Sequence, residues 1–273
     1  MLALNYRTYH DGRACSRWLI AAALLLVLAQ GTASAAVIPI SAANFSPSAF
    51  AIGFNEVPLG TANPVYDAPP GLPTTATVSF GGYFLGQTLG TSAQCGGQAG
   101  CLIGNPGSEL TLDPDASSVF TTLDLASSNN PVLSGDPLFT GSISVLFGQD
   151  QAGVGFMAGF ADSIGANRFT AFDRNGNILG TIDNQSLGYS LLALGNDDGT
   201  ENIAGVQLTL TNLLDTGVAA ESLFFGGADQ LDIEPGSNVD VPEPAGLGLA
   251  CFMLGLIGFT LRRRRPMSPH RIG

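Results

Sequence analysis

A two-residue periodicity in the middle of the chain constrains its fold more than any other feature. Between residues 37 and 241, short runs alternate apolar with small or polar side chains, and glycine, proline, asparagine and aspartate separate these runs. Successive side chains of a β-strand point to opposite faces, so each run can bury one face. The clearest examples are Ile143–Phe147, Val154–Phe160 and Val206–Leu210.

One pair of runs is joined by a recognisable turn. Arg168–Phe172 and Ile178–Ile182 flank the sequence Asp-Arg-Asn-Gly-Asn at 173–177. Asn-Gly between two apolar runs is a strong signal for a β-hairpin. No helix of ordinary length is expected in this part of the chain. The sequence therefore predicts an all-β domain, a two-sheet sandwich of jelly-roll type.

The start of the chain has the three parts of a secretory signal peptide. Residues 1–18 carry three arginines, the apolar run Leu19–Ala29 follows, and small residues come next. A basic start, a short apolar core and an A-x-A exit indicate export and later removal. We expect a signal peptide at 1–35, cleaved after Ala35 or, as the alternative, after Ala36. The apolar run is short for a bilayer span, which disfavours a retained anchor.

The other end of the chain combines an extended motif, an apolar stretch and a basic cluster. Val-Pro-Glu-Pro at 241–244 precedes 17 residues without a charge and then four arginines. As a helix, such a stretch covers about 25 Å, the lower limit for one membrane span. Arginines that follow a span stay in the cytoplasm. The predicted order is a sandwich at 36–233, a linker with the motif at 234–244, a transmembrane helix at 245–261 and a basic cytoplasmic tail at 262–273.

These C-terminal features resemble the PEP-CTERM sorting signal. In that family a membrane-embedded exosortase recognises the motif and processes the tail, and the proteins usually belong to bacteria that make extracellular polysaccharide and biofilm matrix. The resemblance implies an exosortase-type partner, a membrane anchor with a cytoplasmic C-terminus before processing, and a place at the cell surface or in the matrix afterwards. The alternative is an ordinary single-span anchor. The sorting motif is Pro242, Glu243 and Pro244, and the stop-transfer cluster is Arg262, Arg263, Arg264 and Arg265.

The exported part is strongly acidic. Residues 37–241 contain 20 of the 22 acids and only Arg168 and Arg174 among the 10 basic residues, which gives a net charge of −18. Such a surface repels nucleic acid and anionic lipid, so no nucleic-acid partner is expected. It also attracts divalent cations, although solubility outside the cell is a sufficient explanation for the charge.

The same part lacks the side chains that much enzyme chemistry needs. The chain has no lysine, and its two histidines, His10 and His270, lie outside residues 37–241. Catalysis by Ser-His-Asp or Cys-His, and zinc held by histidine, are therefore excluded within this region. Only paired carboxylates remain for acid–base work, as in glycoside hydrolysis. No motif supports such a pair, so we expect no catalytic residues.

Two cysteines predict a disulfide. Cys95 and Cys101 flank Gly-Gly-Gln-Ala-Gly in a polar loop of the exported part. In an oxidising compartment such a pair forms a structural staple, whereas a redox function needs a closer, activated pair.

Two polar loops are candidate calcium sites. Hard oxygen ligands on loops suit Ca²⁺, and calcium is the only cofactor that the sequence suggests. The alternative is turn chemistry, because Asp and Asn tolerate turn geometry and bond their own backbone. The candidate ligands are Asp173, Asn175 and Asn177 in the predicted hairpin, and Asp197, Asp198 and Glu201 in a second loop.

The sequence leaves three functions open. The first is a non-catalytic structural protein of the cell surface or biofilm matrix. The second is a calcium-assisted carbohydrate-binding module, whose aromatic platform would come from Tyr66, Tyr83, Tyr189 or an exposed phenylalanine. The third is a carboxylate-based glycoside hydrolase. A binder needs a concave polar or aromatic patch, a hydrolase needs two facing carboxylates in an open cleft, and a structural protein needs neither.

Overall fold

The computed structural model describes residues 36–67, 76–95, 100–124, 130–211 and 217–233. These residues are mainly β-strand, with two single-turn 3₁₀ helices at Ala42–Asn44 and Ala228–Gln230. The strands are β1 (Val37–Pro39), β2 (Phe50–Ile52), β3 (Val65–Asp67), β4 (Thr77–Gly81), β5 (Thr88–Leu89), β6 (Leu102–Ile103), β7 (Val119–Asp124), β8 (Asn130–Gly135), β9 (Ile143–Gln151), β10 (Gly153–Ala161), β11 (Asn167–Phe172), β12 (Ile178–Asp183), β13 (Gly188–Asn196), β14 (Ile203–Leu210) and β15 (Ala219–Gly226).

The strands form two large antiparallel sheets and one small ribbon. The first sheet has seven strands in the order β1-β13-β10-β15-β8-β7, with β2 beside β15. The second sheet has six strands in the order β12-β11-β14-β9-β4-β3, and β5 and β6 pair as a separate ribbon. From β8 to β15, consecutive strands alternate between the two sheets except at the β11–β12 hairpin. The prediction of an all-β fold with two sheets is confirmed.

The predicted hairpin is present. β11 and β12 pair antiparallel, with Arg168 opposite Asp183 at the open end. Gly176 in the connecting turn has a φ of 79°, in the left-handed region that favours glycine. A Cβ at this position would also lie 2.4 Å from the carbonyl oxygen of Gly107, so the glycine is needed for close approach as well.

The core lies between the two large sheets and follows the two-residue periodicity. Phe169 and Leu208 of the second sheet are fully buried, as are Phe156 and Phe225 of the first. The rings of Phe156 and Phe169 meet across the sheets with 5.9 Å between their centroids. Because alternate residues of β11 and β14 enter this core, the residues between them point to the outer face of the second sheet.

Strand β10 is largely buried on both faces, and glycines occupy most of the side that points away from the core. Phe156 points into the core, whereas the glycines of the strand let other chain segments approach closely. A Cβ at Gly159 would lie 2.2 Å from Cε1 of Tyr189. The glycines of this run therefore serve close packing.

Other chain segments cover two of the sheet edges. Residues 60–63 hydrogen-bond to β7 of the first sheet, and the chain then continues into β3 at the edge of the second sheet. In this segment, Gly60 N donates to Thr121 O and Asn63 N donates to Val119 O, each at 2.7 Å. At another edge, Gly180 of β12 packs against Val37 of β1. Covered edges offer fewer free backbone groups for pairing with another chain.

The chain divides into two compact units, Met1–Asp232 and Ile233–Gly273, and the strands all belong to the first. Among the described residues, no helix is both long and apolar enough to cross a membrane. Four predicted segments lie outside the described residues: the signal peptide at 1–35, the linker at 234–244, the transmembrane helix at 245–261 and the basic tail at 262–273.

Replacing Phe156 with alanine tests the core between the sheets. The ring is fully buried against Phe169, so its loss removes contacts and leaves a cavity. We expect the free energy of unfolding to fall by about 3–5 kcal/mol, measured by denaturant titration. The control is Leu187→Ala, because Leu187 is 62% exposed and its change should stay within about 0.5 kcal/mol. Equal losses in the two variants would contradict this assignment of the core.

Candidate binding cleft

Alternate residues of β11 and β14 form the floor of a cleft on the outer face of the second sheet. In the register of these strands, Arg168 lies opposite Thr209 and Thr170 lies opposite Gln207. Phe169, between Arg168 and Thr170, and Leu208, between Gln207 and Thr209, are core residues, which turns these four polar side chains to the opposite face.

The chain between β4 and β7 crosses this face and forms the wall of the cleft. It carries the β5–β6 ribbon and a small second core, in which Phe84 and Leu110 pack against Phe172 and Ala204 of the sheet. The rings of Phe84 and Phe172 meet edge to face with 5.5 Å between centroids. This part of the contact is apolar, and a cleft of about 390 Å³ lies beside it.

Among the described residues, the lining of the cleft is mainly polar and contains no aspartate or glutamate. Within a region of net charge −18, Arg168 is the one charged residue among the described residues of this lining. The other polar residues have neutral amide or hydroxyl side chains, which both donate and accept hydrogen bonds. They are Gln87, Asn105, Thr170, Gln207, Thr209 and Thr211.

A network of buried amides forms the base of the cleft. Gln87 Nε2 donates to Gln207 Oε1 at 3.1 Å, and Gln207 Nε2 donates to Gln87 Oε1 at 3.0 Å. Gln207 Nε2 also donates to Ser144 Oγ at 2.7 Å, and Phe84 N donates to Gln87 Oε1 at 2.9 Å. These hydrogen bonds connect the chain between β4 and β7 to the second sheet and hold both amides in one orientation.

An ion pair borders the cleft. Arg168 Nε donates to Asp183 Oδ1 at 2.7 Å, and Nη2 donates to Oδ2 at 2.9 Å. This fork orients the guanidinium group. The hydrogen bond from Arg168 is the main reason that the pKa of Asp183 lies below its usual value. Because the Arg168 side chain is 48% exposed, the pair contributes little to stability and acts chiefly on orientation.

The predicted disulfide is confirmed and lies beside the cleft. The sulfur atoms of Cys95 and Cys101 are 2.04 Å apart, and Cys101 lines the cleft together with Leu102 of β6. The Cys101 carbonyl accepts a hydrogen bond from Gly90 N at 2.7 Å. A Cβ at Gly90 would lie 2.6 Å from Cys95 Sγ, so this position favours glycine. The staple closes the end of the β5–β6 ribbon next to the cleft.

The first candidate calcium loop is held together by its own hydrogen bonds. Asp173 Oδ1 accepts from the backbone N of Asn175 at 2.9 Å and of Asn177 at 2.8 Å. Asp173 Oδ2 accepts from Asn177 Nδ2 at 2.8 Å. The structure therefore brings the three residues together, in an arrangement that satisfies the hairpin turn.

The second candidate loop directs its acids to separate partners. Asp197 Oδ1 accepts from Ala36 N at 3.0 Å, Asp198 Oδ1 accepts from Thr200 N at 2.8 Å, and Glu201 Oε1 accepts at 3.1 Å from the first residue of the second 3₁₀ helix. Hydrogen bonds from Thr200 lower the pKa of Asp198. Within the described ranges, no group of three or more His, Cys, Asp and Glu side chains is placed to hold a metal ion. Calcium at either loop stays a prediction.

None of the three tyrosines considered for an aromatic platform lines the cleft. Tyr66 packs against Phe80 with 5.9 Å between ring centroids, and burial raises its pKa to about 12. The hydroxyl of Tyr189 donates to Asp124. Phe172 is the aromatic residue of the lining, and only 2% of it is exposed. A ligand in the cleft would therefore contact polar side chains rather than stack on a ring.

The C-terminal end carries a known sorting motif. Residues 240–265 match the family model of the PEP-CTERM protein-sorting motif, which confirms the resemblance predicted from Pro242, Glu243 and Pro244. The motif marks the chain as an exosortase-sorted exported protein. No curated protein matches the chain. The match covers only this end of the chain, so it indicates how the protein is sorted and does not indicate an activity.

Reduction of the disulfide tests whether the staple shapes the cleft. In the chain-entropy model, closing so short a loop contributes about 2.4 kcal/mol to stability. We expect dithiothreitol to lower the melting temperature and to speed amide hydrogen exchange in β5 and β6, while exchange in β11 and β14 stays unchanged. Hydrogen-exchange mass spectrometry measures both, and the double variant Cys95→Ser with Cys101→Ser should reproduce the effect. Unchanged exchange in the ribbon would contradict this role.

Proposed function

We propose that this chain is a non-catalytic protein of the cell surface or extracellular matrix that holds extracellular polysaccharide in the cleft on its second sheet. The observation that carries the proposal is the lining, whose described residues combine neutral amides and hydroxyls with one arginine and no carboxylate. Side chains that both donate and accept hydrogen bonds suit sugar hydroxyls, which do the same. A concave site with a few convergent polar groups is also the usual form of a ligand site.

The lining of the cleft favours binding over glycoside hydrolysis. Hydrolysis needs two carboxyl groups about 5–10 Å apart on either side of the scissile bond. In the described part of the chain the lining includes neither, and Asp183 at its border accepts hydrogen bonds from Arg168 on both oxygens. None of the six residues considered for calcium lines the cleft. Binding is therefore assigned to direct hydrogen bonds from the protein.

The sandwich is assigned to the jelly-roll class as part of this proposal. Its support is the alternation of consecutive strands between the two sheets from β8 to β15. Jelly rolls are double-sheet folds of this kind, and lectin domains are among them. The likeness is one of fold and does not by itself indicate a ligand.

The route to the surface is proposed from the sorting motif. A signal peptide at 1–35, cleaved after Ala35, would start export, and a helix at 245–261 would anchor the chain with Arg262–Arg265 in the cytoplasm. Exosortase processing near the motif would then remove the anchor. The support is the match of residues 240–265 to the PEP-CTERM motif.

Mass spectrometry of the mature protein tests this route. In cells with the sorting enzyme, we expect an N-terminus at Ala36 and a C-terminus that lacks Arg262–Arg265, because processing removes the anchor. In cells without the enzyme, the arginines should remain. A C-terminus that includes Arg265 in both strains would support an ordinary single-span anchor instead.

A second candidate function is a structural matrix protein without a ligand. Two observations favour it: the Gln87–Gln207 amides already bond each other, and the disulfide Cys95–Cys101 stiffens the neighbouring ribbon. Both features stabilise a fold whether or not a ligand binds. Only retention of a polysaccharide separates the two candidates.

Affinity electrophoresis separates them directly. We expect the processed protein to be retarded in gels that contain a neutral polysaccharide, with dextran, xylan and galactomannan as the probes. Thr209→Trp should abolish the retardation, because the indole fills the cleft beside Arg168. Thr200→Trp, outside the lining, is the matched control and should behave as the parent protein. Equal mobility with and without each polysaccharide would favour the structural candidate.

A further inference from the structure

Two nearly buried glutamines at the base of the cleft are only partly satisfied by the protein. Gln87 is 8% exposed and Gln207 is 4% exposed, and their amides bond each other in both directions. Buried amides need partners for their polar atoms, because an unpaired donor or acceptor loses its hydration. The partners that the protein supplies therefore decide which atoms remain for a ligand.

Among the described residues, each amide keeps one unused position. Gln207 Nε2 donates both hydrogens, to Gln87 Oε1 and Ser144 Oγ, while its Oε1 accepts one bond and keeps one lone pair. Gln87 Oε1 accepts two bonds, from Gln207 and from Phe84 N, while its Nε2 donates once and keeps one hydrogen. Gln87 Nε2 and Gln207 Oε1 bond each other at 3.1 Å. The first of these atoms keeps one hydrogen for a ligand, and the second keeps one lone pair.

A vicinal diol matches this donor and acceptor. One hydroxyl oxygen accepts from Gln87 Nε2 while the neighbouring hydroxyl donates to Gln207 Oε1, and the oxygens of a gauche diol lie about one hydrogen-bond length, ~3 Å, apart. A carboxylate only accepts and an ammonium group only donates, so neither satisfies both positions. A single trans peptide group presents its N–H and C=O in opposite directions, so one peptide group does not satisfy both positions.

The rest of the cleft suits the other hydroxyls of a neutral sugar. Thr170, Thr209 and Thr211 add hydroxyl groups to the lining. Within the described ranges, Arg168 uses Nε and Nη2 for Asp183 and keeps the hydrogens of Nη1. A net charge of −18 over residues 37–241 repels a polyanion, which disfavours a chain of acidic sugars.

From these contacts we infer that the Gln87–Gln207 pair recognises a vicinal diol of a neutral saccharide, and this inference rests on the proposed polysaccharide-binding function. The pair takes the place of an aromatic platform or a calcium ion in orienting the sugar. Its hydrogen bonds to Ser144 and to Phe84 N hold it in position before a ligand arrives. A preorganised site of this kind loses little conformational entropy on binding.

Periodate treatment supplies the matched ligand for the test. Periodate cleaves the carbon–carbon bond between vicinal hydroxyls and is reduced to iodate, and borohydride then reduces the aldehydes that form to primary alcohols. In dextran, whose residues carry three adjacent hydroxyls, the middle carbon leaves as formic acid. The treated polymer stays uncharged but lacks vicinal diols. Native and treated dextran, xylan and galactomannan are compared with the processed protein by affinity electrophoresis. We expect the native polymers to bind about tenfold more tightly or better, since the treated ones leave buried polar groups unpaired.

Two variants connect this preference to the glutamine pair. Gln87→Met and Gln207→Met keep the length of the side chain and remove its polar atoms, so the native-to-treated affinity ratio should fall to about one. Gln149→Met changes an exposed glutamine outside the lining and should keep the parent ratio. Melting temperatures identify a variant that has lost its fold, and the comparison of polymers on the parent protein needs no variant.

The outcomes separate the inference from the function on which it rests. Equal affinity of the parent protein for native and treated polymers would overturn the diol inference and leave polysaccharide binding intact. A ratio that survives in both Gln87→Met and Gln207→Met would overturn the role of the pair. Tighter binding of polygalacturonate than of the neutral polymers would overturn the choice of a neutral ligand. No retention by any native polymer would overturn the proposed function together with the inference.

Discussion

Phe169 and Leu208 point into the core between the two sheets, and their burial sets the register of β11 and β14. A slip of one residue would place every side chain of a strand on the opposite face. Leu208 would then meet water, and Gln207 would enter an apolar core without a partner, which is costly. The polar floor of the cleft follows from this constraint, because core residues occupy the alternate positions.

The polar side chains on the floor of the cleft need hydrogen-bond partners where they are buried, and the chain between β4 and β7 supplies one. Once Phe84 and Leu110 cover part of the outer face, Gln207 and Ser144 lie almost out of reach of water. Gln87 arrives with the same chain segment and bonds Gln207 in both directions. Packing and hydrogen bonding thus depend on one another, and the atoms left over for a ligand are few and fixed in place.

The charged residues of the exported part are distributed differently from the neutral polar residues that line the cleft. The two arginines of residues 37–241 lie in or beside β11, and each forms an ion pair, Arg168 with Asp183 and Arg174 with Asp150. The residues that the structure describes in the cleft lining include no carboxylate, although the surrounding region is strongly acidic. An acidic exterior suits solubility outside the cell, and an oxidising exterior suits the disulfide beside the cleft. Because the charge of Arg168 is paired with Asp183, hydrogen bonding selects what the cleft holds.

Local patterns predicted much of the fold and little of the site. The alternation of β9, β10 and β14, the Asn-Gly hairpin, the disulfide and the sorting motif each depend on residues close together in the chain, so the sequence by itself determined them. The outward direction of Thr170 and Gln207 could also have been read from their core neighbours. The order of the strands, the cleft and the meeting of Gln87 with Gln207, 120 residues apart, were decided only by the tertiary structure. The reason is that pairing between distant strands depends on how both sheets pack as a whole, which no local spacing encodes.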